Sequence, residues 1–582
     1  MAQLLTRRGF IRAGCRTAAA AATLRALDAR AAPALLGSFE PQTRAGRAAA
    51  LRPAFALIDQ FVTRHMAETG APGLTLSLAD AAGLLRASAY GFADLKTRAR
   101  VTPDTLFEIG SISKSFVAVA LLQLRDEGKL DFHRPVTDYV PWLRIDTKFE
   151  PVTVHHLVTH TAGLPGAPLL LDALLAPLWT AWKPGSRFLY SNTGYNILGF
   201  VIEAADGRPF ADAMRARVLA PLGMTASSPT ITNETRARMA VGYEPVPDDR
   251  PWPARGPLGE AQWIEVDIAA GSVASTPADM ASYMSALINR GQLKNGRRLF
   301  SEESFKQMIA PAIRAPFRGE EASYGYGLWV SQIEGHTRLR HTGGMVAFSS
   351  SMDVDVTGGT AAFASVNANL RGYRPVAVTK FAIGTLNAAL SGKTLPTLPA
   401  PAPPAEEIKN AAEFAGTYTA PDGRRLMLVA EGQRLLLLHK GRRVVLERAG
   451  GPNTFLVRHP DFDLFLLGFV REGDAVTEAF HGADWFAGGR YKGAREFSHS
   501  KEWEGYVGHY HNDSPWYGDA RVVLRKGRLW LDGLQPLVPK ADGTFGAGDA
   551  EGPDRVGFES IVQGRAMRMN YSGILFRRAF TP

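Results

Sequence analysis

The sequence predicts an α+β domain, built as an antiparallel sheet with flanking helices plus an all-helical part, followed by two all-β barrels. Three observations carry this. A helix-periodic segment is followed by two alternating strands, then by many helices before strands resume, the order expected of an α+β domain. At residues 394–405 the composition shifts to a proline-rich run, Leu395-Pro396-Thr397-Leu398-Pro399-Ala400-Pro401-Ala402-Pro403-Pro404, which reads as a stiff linker. Beyond it come short alternating strands, and Phe414-Ala415-Gly416-Thr417-Tyr418 recurs as Tyr506-Val507-Gly508-His509-Tyr510. After each copy follows a similar strand pair, so two related barrels are expected, closed so that no sheet edge is left open.

The elements follow in order. Residues 51–66 carry Leu51, Phe55, Ile58, Phe61 and Val62 at helical spacing, ended by Gly70-Ala71-Pro72-Gly73. Residues 74–78 and 84–89 alternate as strands around Asp80-Ala81-Ala82-Gly83, a hairpin. A helix after Ser111 shows the stripe Phe116, Val117, Ala120, Leu121 and Leu124, with Gly128 as its stop. Ser275 or Thr276 caps a further helix with Pro277 in its first turn. Strands are then expected at 326–330, 338–341, 347–352 and 361–366. In the C-terminal third they fall at 425–429, 434–438, 443–446 and 455–457.

The chain has 582 residues and a formal net charge of +10, with 46% hydrophobic residues, so several domains with real cores are expected. Thr6-Arg7-Arg8-Gly9-Phe10-Ile11-Arg12 ahead of an alanine-rich stretch reads as a twin-arginine export signal over residues 1–32, and hence a periplasmic or secreted protein. That segment holds six arginines and one aspartate, a balance of +5, and its removal leaves +5 (10 − 5) on the mature chain. So mild a charge gives no argument for nucleic acid as a partner. The single cysteine, Cys15, excludes a disulfide within the chain, and Arg12 ahead of it speaks against a lipid anchor. No apolar run approaches the ~20 residues of a membrane span. The expected division is signal 1–32, leader 33–50, first domain 51–392, linker 393–405, and barrels 406–498 and 499–582.

Chemistry is concentrated in short patterns, none sufficient alone. Ser111 and Lys114, three apart, lie a helical turn from each other, so a desolvated lysine can take the serine's proton; the helix start adds unpaired N–H groups for an oxyanion. Ser498 and Lys501 form the same pattern in a polar context, read as a solvated turn. Tyr190 and Asn192 precede an apolar helix. Either both point into one cleft, with Lys114 as the cation that lowers the phenol, or Tyr190 is a core aromatic and Asn192 a helix cap. His341-Thr342-Gly343-Gly344 is either a strand edge along which a substrate backbone pairs, with the Gly344 N–H as an oxyanion donor, or an ordinary hairpin turn. His156 and His160 have the i, i+4 spacing of metal sites, but no acidic residue follows, so they and His155 read as helix-end histidines bonded to backbone. No metal or cofactor is expected.

In this order, Ser111-x-x-Lys114, Tyr190-x-Asn192 and His341-x-Gly343 resemble the active-site signature of the serine hydrolases related to class C β-lactamases and D-alanyl-D-alanine carboxypeptidases. Flanking residues agree, among them Phe107-Glu108-Ile109-Gly110, Glu127-Gly128-Lys129-Leu130, His160-Thr161-Ala162-Gly163-Leu164 and Ala270-Gly271-Ser272. The resemblance covers roughly residues 51–390. It implies a β-lactamase and penicillin-binding-protein type of fold, with Ser111 acylated by a carbonyl substrate and proton transfers shared by Lys114 and Tyr190. By the same resemblance Asn192 holds a substrate amide, the N–H groups of Ser111 and Gly344 bind the oxyanion, and His341 stands where the β-lactamases carry a lysine. A histidine is mostly neutral there, which shifts expectation from β-lactams toward peptides, amides and esters.

A domain of this type followed by two lipocalin-like barrels resembles the layout of bacterial D-aminopeptidases. It implies a D-amino-acid-specific peptidase or amidase, with residues 509–519 of the last barrel at the active-site mouth and Asp513 or Asp519 pairing with a substrate ammonium. An esterase of small acyl esters uses the same site. An idle cell-wall or partner-binding protein is the alternative of another class, against which stands the presence of Ser111, Lys114 and Tyr190 together.

Overall fold

The structure is a computed structural model that describes residues 44–166, 177–246, 249–251, 253, 256–370 and 373–580. The export signal read at 1–32, with Cys15, lies outside the described residues. No helix among the described residues is long and apolar enough to cross a membrane.

Helix α1 (Arg44–Thr69) starts seven residues before the expected 51 and accommodates Pro53. It leads into β1 (Gly73–Asp80), β2 (Gly83–Asp94) and β3 (Ala99–Arg100). After the helical part, β4 (Ile313–Arg314), β5 (Ser323–Tyr324), β6 (Trp329–Ile333), β7 (His336–Gly344), β8 (Ser349–Asp355) and β9 (Thr360–Val366) complete a nine-stranded sheet. Its order is β4-β5-β6-β7-β8-β9-β1-β2-β3, and β9 meets β1 with Leu74 opposite Val366. Both faces of β1 are covered. Leu74, Leu76 and Leu78 join a core with Leu51, Ile58 and Val62 of α1 and with Val378, Ile383 and Leu386 of a C-terminal helix, Val376–Leu390. On the other face Ser77 donates to the carbonyl of Pro277, at the start of the helix Pro277–Ile288 capped by Thr276. Truncating any of these leucines to alanine is expected to cost about 2–5 kcal/mol.

The strands differ from expectation at 326–328 and at 347–348, and they decide between the two readings of 343–344. Tyr326, Gly327 and Leu328 fall in a turn rather than in β6, because Gly327, at φ +73°, lies against the Lys114 carbonyl where a β-carbon would come within 2.7 Å. Gly343 and Gly344 are not turn residues. They close β7, paired with Ser350 and Ser349, and the reversal is made by Met345-Val346-Ala347-Phe348.

The helical part is centred on α2 (Ser113–Asp126), which is buried continuously from Ser113 to Leu122. Glu127 caps it, and Gly128 follows at φ +72°, the left-handed stop that its glycine permits. Helices α3 (Val154–Val158) and α4 (Asn192–Asp206) pack in the same core.

Two closed antiparallel barrels of eight strands follow, from Gly416–Thr419 to Asp484–Ala487 and from Gly508–Asn512 to Ile574–Arg578. The repeated motif has one structural job in both. Tyr418 donates its hydroxyl to the Phe414 carbonyl at 3.0 Å, and Tyr510 to that of Tyr506 at 2.8 Å. Each barrel is filled with side chains, the first by residues such as Leu437, Phe455 and Phe469, the second by Val522, Phe545 and Met569. The first barrel has its own apolar core, whereas that of the second is continuous with Phe107, Met345 and Phe348 of the first domain.

Candidate active site

Ser111 lies in a 3-10 turn, Gly110–Ile112, that runs directly into α2. The turn is pressed against the end of β7. A β-carbon on Gly110 would lie 2.6 Å from the Gly344 nitrogen, and one on Gly343 would lie 1.8 Å from the Ile109 carbonyl oxygen. Ser350 ties the turn down by donating to that same carbonyl at 2.7 Å. Only glycines permit this approach, which brings the Gly344 amide beside the serine turn.

Lys114, 0% exposed, places Nζ 3.0 Å from Ser111 Oγ, 2.9 Å from Asn192 Oδ1 and 2.6 Å from the Ala270 carbonyl oxygen. Burial holds its pKa well below the ordinary lysine value. The consequence is geometric. A neutral amine has two N–H donors and one lone pair, and two of its three neighbours, the amide and carbonyl oxygens, only accept. In the neutral form both N–H groups would be committed there, leaving the lone pair for the Ser111 hydroxyl. Asn192 is free for this because the cap of α4 is Ser191, whose Oγ accepts from Gly194 N at 3.1 Å.

Tyr190, held on the segment before α4, hydrogen-bonds Ser111, and Lys114 Nζ lies 4.9 Å from its ring centre. Burial raises the phenol above its ordinary value, against smaller opposing effects of Ser111 and the Arg374 charge. Burial thus works against both charges that the expected pairing, a lysine cation beside a lowered phenol, would require. The buried cation is Arg374, which donates to Ser349 Oγ and to the Tyr373 carbonyl and is pushed down to about 9 by burial and, secondarily, by Arg318.

His341 is 1% exposed on β7. Its Nδ1 lies 2.7 Å from the Thr342 carbonyl oxygen, which can only accept, so Nδ1 carries the proton. Nε2, 3.2 Å from the Tyr324 hydroxyl, accepts from it. Burial above all pushes the imidazole down to about 3, so it is neutral across the physiological range. Thr342 and Gly343 continue the strand, opposite Ser351 and Ser350. Trp329 completes an aromatic wall, its ring parallel to Tyr190 at 5.9 Å and 4.8 Å from His341.

The sequence patterns thus converge: Ser111, Lys114, Tyr190, Asn192, His341 and the glycines of β7 form one site. Sequence reasoning missed Tyr324, Trp329, Arg374 and the role of the Ala270 carbonyl. The run Tyr324-Gly325-Tyr326-Gly327-Leu328-Trp329, dense in aromatics and glycines, was the available signal for two of them; a backbone carbonyl has none.

The helix-end histidines are hydrogen-bonded. His156 closes a capping box with Thr153, His155 pairs with the Tyr326 hydroxyl at 2.8 Å, and His160 accepts from Ser191 N at 3.0 Å. Among the described residues, one group has the spacing of metal ligands: His439, His459 and Asp461, on the first barrel. There the carboxylate is already engaged by His439 at 2.6 Å and Lys440 at 2.7 Å.

The second barrel meets the site differently from the expectation at 509–519. Most of that segment is two paired strands, with Asp519 held by His509 and His511 and Asp513 by Arg577. Trp516 and Tyr517 are buried in the apolar cluster that includes Met345 and Phe348, just beyond Gly344. A neighbouring loop, before the strand Arg555–Val562, touches the segment leading to Tyr190. Asp554 accepts from Gly166 N at 3.1 Å, the Pro553 carbonyl accepts from Trp179 at 2.8 Å, and Glu551 pairs with Arg187 at 2.7 Å. Gly166 itself leaves only 3.0 Å between a β-carbon and the Tyr190 carbonyl.

Fold and site together define a serine hydrolase of the β-lactamase and penicillin-binding-protein type. The chain belongs to the β-lactamase family, whose model matches residues 58–381. A β-lactamase of Yersinia enterocolitica is 30% identical over 282 residues, covering 47% of this chain and 68% of its own. The protein flp of Staphylococcus aureus (strain N315) is 28% identical over 202 residues, 32% of this chain and 41% of its own. Across these two curated relatives the chain therefore spans 41% to 68% of their length. Among solved structures, the octameric penicillin-binding protein homologue from Pyrococcus abyssi superposes with a TM-score of 0.54, covering 74% of this chain and 99% of that one; at 23% identity the likeness is one of fold.

Proposed function

We propose that this chain is an exported serine hydrolase that works through an acyl-enzyme on Ser111, acting on peptides or amides of D-amino acids. The observation that carries the reading is the fully buried Lys114 Nζ 3.0 Å from Ser111 Oγ. Ser111 Oγ attacks the substrate carbonyl carbon as its proton passes to Lys114, and the N–H groups of Ser111 and Gly344 hold the oxyanion. The intermediate collapses when the leaving amine takes a proton, delivered through Tyr190, which hydrogen-bonds Ser111. Water then attacks the acyl carbon, gives a proton back by the same route, and releases Ser111. Asn192 holds the substrate amide, and Thr342 and Gly343 offer a strand edge.

The neutral His341 supports the preference for peptides and amides over β-lactams, because it gives a substrate carboxylate no charge. The aromatic wall of Trp329 and Tyr190 supports a second reading, an esterase of small acyl esters on the same nucleophile. Intact-mass labelling with a fluorophosphonate tests the nucleophile: one adduct is expected on the native protein and none on Ser111→Ala, and undiminished labelling of the variant removes the mechanism. Rates on D-alanyl p-nitroanilide and p-nitrophenyl acetate, measured side by side, separate the two substrate readings.

A further inference from the structure

His160 has no part in the chemistry above, yet it is buried against Tyr190. It follows α3 at φ +59°, a left-handed conformation that residues with a β-carbon rarely adopt. That backbone turn aims two acceptors at one short segment. Its carbonyl oxygen accepts from Leu189 N at 2.8 Å, and its Nδ1 accepts from Ser191 N at 3.0 Å. The two amides it binds are those immediately before and after Tyr190. Its ring lies against the Tyr190 ring with centres 4.2 Å apart, and Tyr195 and Tyr324 stand 4.9 Å away on other sides.

The protonation state follows. Nδ1 accepts from a backbone N–H, so in the neutral ring Nε2 carries the proton, and that atom is buried without a hydrogen-bond partner among the described residues. Burial holds the ring well below the ordinary histidine value, which keeps Nδ1 free to accept. An N–H left unpaired inside a cage of tyrosine rings is costly, and a strained backbone adds to that cost. What the arrangement gains is control of a single residue.

We infer that His160 is a positioning residue for Tyr190, gripping the backbone on both sides of it and bracing the phenol against Ser111 with its ring. The inference rests on the acyl-enzyme reading above and adds to it a residue that touches neither substrate nor nucleophile. It also explains the residue type. Asparagine at 160 can adopt the left-handed turn and accept from Ser191 N, but gives no ring. Glycine adopts φ +59° without strain and supplies neither.

His160→Gly and His160→Asn, with Ser111→Ala as reference, provide the test, each variant first shown to be folded by its melting transition. The readouts are the fluorophosphonate acylation rate and its pH profile. His160→Gly is expected to acylate at least tenfold more slowly than the native protein, and His160→Asn to recover part of that loss. In His160→Gly the acid limb moves to higher pH, because water entering beside Lys114, which is otherwise enclosed by Ser111, Tyr190, Asn192, Tyr195, His341 and the Ala270 carbonyl, raises the lysine toward its ordinary value. A native rate in His160→Gly, or an unmoved acid limb with a loss no larger than the unfolded fraction, overturns the inference. Labelling that survives Ser111→Ala overturns the reading beneath it instead.

Discussion

The carbonyl oxygen of Ala270 lies 2.6 Å from Lys114 Nζ, closer than Ser111 Oγ or Asn192 Oδ1. In the neutral amine that contact leaves the lone pair for Ser111, and the same burial links reactivity to stability. In the folded chain the lysine is depressed well below its unfolded value of about 10.4. Between those two values the unfolded chain binds the extra proton, so this residue lowers stability most at the acid end of the window, and stability rises with pH. Lys114→Met is expected to lose acylation by about a thousandfold or more. Its melting temperature, compared with the native protein's from pH 7 to pH 10, should show a native-minus-variant difference that rises with pH; a flat difference contradicts a neutral Lys114.

Tyr190→Phe keeps the ring against Trp329 and His160 and removes only the hydroxyl bonded to Ser111. A fall in kcat of about 10²–10⁴ with little change in KM is expected on an amide substrate. A smaller loss on an activated ester, whose leaving group needs no proton, would locate the role in leaving-group protonation. Equal losses on both would place it in acylation itself.

Glu108, two residues before Gly110, is pushed up to about 8 by burial. A carboxyl raised in the folded state stabilises fully below its unfolded value of about 4.3, and that contribution is lost as pH rises toward 8. Glu108→Gln should therefore gain on the native protein as pH rises, by about 1.4 kcal/mol per unit between roughly pH 4.3 and 8. Urea melts at pH 5 and pH 8 check it, the gain being larger at pH 8.

Gly343→Ala would set a methyl 1.8 Å from the Ile109 carbonyl oxygen and 2.2 Å from Ser350 Oγ. Both belong to the clamp holding the Ser111 turn on β7, so the turn must move. A loss of about 1–3 kcal/mol in stability is expected together with slower acylation. A variant that keeps the native melting point and rate would show that β7 and the turn are not pressed together.

Most of the fold was legible in the sequence because its signals are local. Alternating runs marked β1 and β2, an apolar stripe marked α2, and the twice-used Gly-x-Tyr motif marked both barrels. The strand order was not legible, since Leu74 meets Val366 across nearly the whole domain and neither residue carries a mark of its partner. The site divided in the same way. Ser111, Lys114, Tyr190, Asn192 and His341 stood out as patterns of reactive side chains. Ala270 acts through a backbone oxygen, Tyr324 through the lone pair of a histidine, and His160 through a turn whose handedness no residue type dictates. The loop at 549–555 was missed because Asp554 and Glu551 look like any surface acids until folding sets them on Gly166 and Arg187.

The continuous apolar core between the second barrel and the Met345 loop joins parts of the chain that are far apart in sequence. The first barrel, next along the chain, closes its core by itself. The second, farther away, shares its interior with the residues that follow Gly344. A chain truncated before the second barrel would expose Met345 and Phe348 to water beside the Gly344 amide. The second barrel thus shares the apolar core of the first domain, whereas the first barrel is tied to the second by polar contacts, Arg525 donating to the Gly482 carbonyl and Lys526 pairing with Glu478.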